Sequence, residues 1–171
     1  YTITQPTTQA SSISFSSVNF TQIDLSWTAG NGSKNIVFVK QANTGTASPV
    51  DESNYTANAA FGSGSQISST GWYAVYDGTG TSVTLTGLSA GTDYIAQVFT
   101  YNGITSGGEN YFTDPATNNP NTQATAEVTE PTTQATNITF SSIAYTQMTI
   151  GWSNGDGTKR VVFVKQANTG T

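Results

Sequence analysis

Thr21-Gln22-Ile23-Asp24-Leu25-Ser26-Trp27 alternates apolar and polar residues, and the pattern returns 125 residues later as Thr146-Gln147-Met148-Thr149-Ile150-Gly151-Trp152. Between the copies, Ile23 and Leu25 exchange only for Met148 and Ile150 and the tryptophan is kept, while Asp24 and Ser26 become Thr149 and Gly151. Apolar positions at period two that accept only apolar replacements, opposite polar positions that drift, describe a strand with one face in a core. No segment of the chain holds the i, i+3, i+4 apolar spacing of a helix between capping residues.

The self-similarity extends outward from this strand. Pro6-Thr7-Thr8-Gln9-Ala10 recurs as Pro131-Thr132-Thr133-Gln134-Ala135, Lys34 as Lys159, and the run from Val37 to Thr46 is unchanged from Val162 to Thr171. Residues 5–46 and 130–171 agree without a gap at roughly three-fifths of positions, the signature of a tandem array. One module is therefore expected at 6–129, after a linker at 1–5 from a preceding region, with 130–171 the first third of a second, homologous module (its strands A, B and C). Neighbouring repeats of the same chain are the expected partners. In the second copy Trp152, Ile150, Phe140, Val162 and Val164 would lack facing partners, so 130–171 is expected to be unstable alone. A longer parent would complete it, or another chain would do so by strand addition, which opens a route to self-association and makes the chain a candidate subunit of a self-assembling extracellular filament.

Composition narrows the class. The 171 residues include no cysteine and no histidine, which removes disulfide scaffolds, thiol nucleophiles and the commonest general base and transition-metal ligand. Five Lys plus Arg against ten Asp plus Glu give a net charge of -5 with no basic run, so nucleic acid is not an expected partner. No apolar stretch approaches the length of a membrane span. Only 9% of residues are charged, against about 25% in an ordinary soluble domain. Solubility then rests on hydroxyls and amides, which points to an extracellular or cell-surface location. With 11% aromatic residues and regular alternation, the chain is not a disordered Ser/Thr stalk.

Strands are expected at 12–17, 22–27, 35–41, 72–76, 82–86, 94–101 and 110–113, with an extended piece near 122–126. Gly30-Asn31-Gly32, Asp77-Gly78-Thr79-Gly80, Ala90-Gly91 and Asn102-Gly103 supply the turns between them. Two packed antiparallel sheets bury one face of each such strand, so the fold class is all-β.

The stretch Gly87-Leu88-Ser89-Ala90-Gly91-Thr92-Asp93-Tyr94-Ile95-Ala96-Gln97-Val98 resembles the E-to-F corner of fibronectin type III domains. In that family a leucine, a glycine turn and a tyrosine whose hydroxyl reaches back to the backbone follow one another; Leu88, Gly91 and Tyr94 match. Trp27 resembles the strand-B tryptophan. The resemblance implies an immunoglobulin-like antiparallel β-sandwich with Trp27, Tyr94, Leu88 and, in the second copy, Trp152 in the core. The departure is the segment 42–71, a long C-to-E insertion. Pro-Thr-Thr-Gln-Ala, Ile-x-Phe-Ser-Ser, Ser-Trp and Tyr55-Thr56-Ala57-Asn58-Ala59-Ala60-Phe61-Gly62-Ser63-Gly64 also resemble repeats of large secreted surface proteins of Bacteroidota. That likeness implies a non-catalytic stalk, spacer or adhesion module in an exported protein.

If Val37, Val39, Tyr94, Ala96 and Val98 point inward, then Ile36, Phe38, Ile95, Phe99 and Tyr101 point outward on strands C and F. An apolar aromatic face of that kind either binds something or is covered. The insertion, carrying Val50, Tyr55, Phe61 and Ile67, is expected to cover it. The competing expectation is a carbohydrate-binding face, or a site for another surface protein, using Phe38, Phe99 and Tyr101 or the loop aromatics Tyr55, Trp72 and Tyr73. Asp51, Glu52, Glu109 and Asp114 lack the spacing of a calcium loop and are expected to be solvated acids, and Lys40 an ordinary strand lysine. No nucleophile elbow accompanies the serines. No catalytic residue, metal ligand or cofactor is expected.

Overall fold

The computed structural model describes residues 3–103 and 108–166, so Tyr1 and Thr2 of the expected linker and residues 167–171 of the repeated run lie outside the described residues. The chain divides into two compact units, Tyr1–Val128 and Thr129–Thr171.

Unit 1 is built from β1 (Ser11–Ser16), β2 (Ile23–Thr28), β3 (Lys34–Gln41), β4 (Tyr73–Gly78), β5 (Ser82–Leu85), β6 (Asp93–Asn102), β7 (Asn110–Tyr111) and β8 (Asn121–Ala124). One sheet has the order β1-β2-β5; the other runs β4-β3-β6-β7, with β8 also on β6. All named ladders are antiparallel. This is the all-β sandwich expected, and because β4 pairs with β3 the insertion lies between those two strands.

Period-two alternation decides what faces inward. In β2, Ile23, Leu25 and Trp27 are buried, and with Ile13, Val37, Val39, Leu85, Leu88, Tyr94, Ala96 and Val98 they form the core between the sheets. Fully burying side chains of this size contributes about 1.5–3 kcal/mol each.

The edges are covered. The N–H groups of Ser12 and Ile13 on β1 donate to the carbonyls of Thr117 and Asn118. On the opposite side the insertion bonds both sheets: Asn58 N–H to Ala74 C=O and Ala74 N–H to Ser65 C=O at β4, Phe61 N–H to Thr86 C=O beside β5. Positions tied in this way are not free to template pairing with another chain.

Unit 2 contains β9 (Thr136–Ser141) and β10 (Thr149–Ser153). Their register, Thr136↔Ser153, Thr139↔Gly151, Phe140↔Ile150 and Ser141↔Thr149, is that of β1 and β2 displaced by 125 residues, bulge included. The bulge residues Ser12 and Asn137 share a left-handed backbone, φ 56° and 53°. The third expected strand of this copy is not formed: residues 159–166 carry no strand. In unit 1 the corresponding β3 is held by ladders to β4 and β6.

Candidate functional site

The expected core residues of unit 1 occupy one interior. Trp27, Leu88 and Tyr94 are all buried in it, and Ser89 N–H donates to the Tyr94 hydroxyl at 3.0 Å, the back-reaching corner bond expected from the sequence. Trp152, on the β9–β10 pair, is exposed at 41%.

The aromatic face of β3 and β6 is covered. Ile36, Phe38, Ile95, Phe99 and Tyr101 form a second core with Ala47, Tyr55, Ile67 and Trp72 from the insertion and Tyr111 from β7. Phe38 meets Tyr55 edge-on at 5.1 Å and Phe99 at 6.2 Å. Buried Gln97 fixes the lid, its Oε1 accepting from Ala47 N–H at 2.7 Å. Tyr111 ties it further: its hydroxyl donates to Ser53 C=O and its N–H to Asp51 Oδ1, both at 2.8 Å. Of the six side chains that could stack a sugar, Phe38, Phe99, Tyr101, Tyr55 and Trp72 are buried. Tyr73 is half-buried, its ring 5.4 Å from Phe61. None of these rings forms an open platform.

Two insertion residues sit elsewhere than expected. Phe61 packs on the inter-sheet core, 5.1 Å from Tyr94, and Val50 is 57% exposed. Phe61 is carried past the covered face because its backbone pairs with Thr86 beside β5.

The polar groups here are held in place by structure. The Tyr101 hydroxyl donates to Asp77 Oδ1 at 2.5 Å, and Lys34 Nζ stands 3.7 Å from Asp77 Oδ2. Burial, then the Asp77 bond and charge, push the Tyr101 hydroxyl well above the ordinary tyrosine range; burial and the Glu109 charge do the same for Tyr111. Neither phenol is a base near neutrality. Of the four acids read as solvated, Asp51, Glu52 and Asp114 are exposed and Glu109 is buried at 5%. The Glu109 carbonyl accepts Glu52 N–H from the insertion, and among the described residues the buried Glu109 Oε2 has no hydrogen-bond partner. Lys40 is half-buried, its stem beside Gly71. Among the described residues no three acids converge on a metal-sized site.

Two buried amides escaped the sequence reading. Between the stretches paired by β7 and β8, the outer edge of β6 is completed by side chains. Asn119 Oδ1 accepts from Val98 N–H at 3.0 Å, and its Nδ2 donates to the Val98 and Ala10 carbonyls. Gln9 Oε1 accepts from Thr100 N–H and Ala10 N–H, each at 2.9 Å, and its Nε2 donates to Phe112 C=O. The signal for Gln9 was its return as Gln134 in the repeated Pro-Thr-Thr-Gln-Ala box; Gln134 keeps the bond to Ala135 N–H at 3.0 Å. Asn119 carries no such signal.

A second repeated device clasps the start of each module. Asn31 Oδ1 accepts from both Thr7 and Thr8 N–H at 3.0 Å. At the same position in unit 2, Asp156 accepts from Thr132 N–H, Thr132 Oγ1 and Thr133 N–H at 3.1, 2.8 and 3.0 Å. Those bonds, the Thr133 amide foremost, hold the Asp156 carboxyl below its ordinary pKa of 3.8. A Cβ at Gly30 or Gly155 would overlap the carbonyl of Thr8 or Thr133, so the preceding glycine is required by close approach.

Unit 2 presents an apolar groove of about 520 Å³ lined by Ile138, Phe140, Met148, Ile150, Trp152 and Val162 among others. It is the inner face of half a sandwich.

The fibronectin type III domain model matches residues 5–114. No curated protein matches the sequence. Among solved structures the chain is similar to a segment of two fibronectin type III domains from chicken tenascin, at 18% identity, covering 86% of this chain and 63% of that one, TM-score 0.36. It is also similar to domains A168–A170 of titin, at 16% identity over 73% of this chain and only 34% of that one, TM-score 0.43. A fibronectin type III domain of human collagen XX aligns at 21% identity over 61% of this chain and 88% of that one, TM-score 0.34. Family model, sheet order and corner tyrosine agree: the chain belongs to the fibronectin type III family.

Proposed function

We propose that the chain is a non-catalytic structural repeat of a long secreted or cell-surface protein, acting as a stalk or spacer or in adhesion. One observation carries the reading. The repeat at 125 residues reproduces strand register, bulge and the clasp at the module start, so each copy restarts the same building block. In unit 1 five of the six aromatics that could have bound a ligand are spent on a second core. The likeness of the Pro-Thr-Thr-Gln-Ala and Tyr55–Gly64 stretches to repeats of Bacteroidota surface proteins supports export and attachment to the cell envelope. No helix among the described residues is long and apolar enough to cross a membrane. Carbohydrate binding through Phe38, Phe99, Tyr101, Tyr55, Trp72 or Tyr73 has no open ring to favour it.

Antibody against residues 1–128 tests the proposal on intact source cells. The expected result is a band far heavier than 17.9 kDa that external protease removes. A protease-protected band near 17.9 kDa would contradict it.

A further inference from the structure

The chain holds three Asn-Gly pairs, Asn31-Gly32, Asn102-Gly103 and Asn154-Gly155. In such a pair the glycine amide nitrogen can attack the asparagine side-chain carbonyl carbon, because no Cβ crowds the approach and the glycine backbone turns readily. The attack needs a side chain able to swing, an amide nitrogen not engaged elsewhere, and water at hand.

Two of the pairs are held against it. Asn31 Oδ1 accepts from Thr7 and Thr8 N–H, its Nδ2 donates to Thr7 Oγ1 at 2.9 Å, and Gly32 N–H donates to Thr100 Oγ1 at 2.9 Å. Asn102, half-buried at the end of β6, accepts from Ser33 N–H at 2.8 Å and donates to Thr4 C=O at 2.9 Å. Asn154 is exposed and has one bond, from Trp152 Nε1–H to its Oδ1. Its Nδ2, the group that must leave, and the Gly155 N–H, the group that must attack, have no partner among the described residues. That openness belongs to the position within the module. In unit 1 the counterpart Ala29 is exposed as well, and Gly30 N–H likewise donates to no described group.

We infer that Asn154 is a site of self-modification, deamidation through a cyclic imide. Gly155 N bonds to Asn154 Cγ, the Cγ–Nδ2 bond breaks, and Nδ2 leaves as ammonia with the proton of the Gly155 amide. Water then opens the ring at either carbonyl, giving aspartate or isoaspartate. The isoaspartyl product lengthens the backbone by one carbon just before Gly155, where even a Cβ would overlap the Thr133 carbonyl. The clasp of Asp156 on Thr132 and Thr133 comes directly after, so this product releases it. Unit 1, with Ala29 at the same place and Asn31 held, keeps its clasp. The inference is independent of the stalk reading.

The test incubates the folded 171-residue chain at mildly alkaline pH in heavy-oxygen water, followed by peptide mapping with mass spectrometry. Asn154 should convert to aspartyl and isoaspartyl forms carrying one solvent oxygen. Asn31 and Asn102 should react at least about tenfold more slowly, since each net hydrogen bond that must break slows the step roughly fivefold. In urea that unfolds both units, all three should react at similar rates. Ala29→Asn, which places the same pair in the complete module, should react as Asn154 does. Amide exchange in the isoaspartyl product should rise at Thr132 and Thr133 and stay unchanged at Thr7 and Thr8. An Asn154 that stays intact while the unfolded chain reacts, Asn31 or Asn102 matching it in the folded chain, an inert Ala29→Asn, or an undisturbed clasp in the isoaspartyl product would each overturn the inference.

Discussion

Trp27 and Trp152 are one position in two settings. Trp152 Nε1 donates to Asn154 Oδ1 at 3.0 Å, whereas buried Trp27 Nε1 has no partner, because Ala29 stands where the second copy has Asn154. Ala29 is exposed and leaves room for the longer side chain. Ala29→Asn should therefore raise the stability of unit 1 by about 1 kcal/mol, one net hydrogen bond, read as a higher urea midpoint with unchanged slope. An unchanged or lower midpoint would show that the indole is satisfied in another way. The clasp makes a second residue-scale prediction. Bonds that favour the charged carboxylate of Asp156 stabilise above its unfolded pKa and are lost as pH falls through the lower folded value. Thr132 and Thr133 amide shifts should titrate together with a midpoint below 3.8. Thr7 and Thr8, held by the amide of Asn31, should not follow that titration; a common midpoint in both pairs would contradict the assignment.

At the scale of elements, the insertion and the β6 edge account for what the bare sandwich pattern lacks. The insertion runs back along β4, and a Cβ at Gly64 would overlap Ala74 C=O. Gly64→Ala should loosen the lid, expose the second core and produce dye binding to apolar surface; dye binding equal to the parent's would show the lid is held without this approach. Asn119→Ala would leave the Val98 N–H and C=O and the Ala10 C=O short of partners. Its expected cost is about 3 kcal/mol, several unmet backbone groups, measured by urea unfolding. Asn119→Leu should not restore it, since backbone atoms are the ones orphaned. The strands of unit 1, the parity of β3 and β6 and the buried corner were legible because burial writes itself as period two and as apolar exchange between copies. The placement of Phe61, the burial of Glu109 and the amides on β6 were not. Those depend on which distant backbone a loop meets, and polar side chains spent on backbone look in sequence like surface.

For the whole molecule, unit 1 is a sandwich thickened by a third layer. One core lies between its sheets, and a second lies between the outer face of β3–β6 and the insertion. Unit 2 has begun the same module and presents its inner face open. The likeness between copies was visible from the repeat alone. Residues 159–166, expected as its third strand, carry no strand.

The insertion is a permanent layer and not a mobile cover over a binding face. Hydrogen–deuterium exchange on the 171-residue chain tests it most directly. The account predicts that the Ala47, Ile67 and Ala74 amides, bonded to Gln97, Trp72 and Ser65, exchange as slowly as those of β2. Fast exchange at all three with β2 still protected would show a lid that opens on its own, and would return the aromatic face to the list of binding sites.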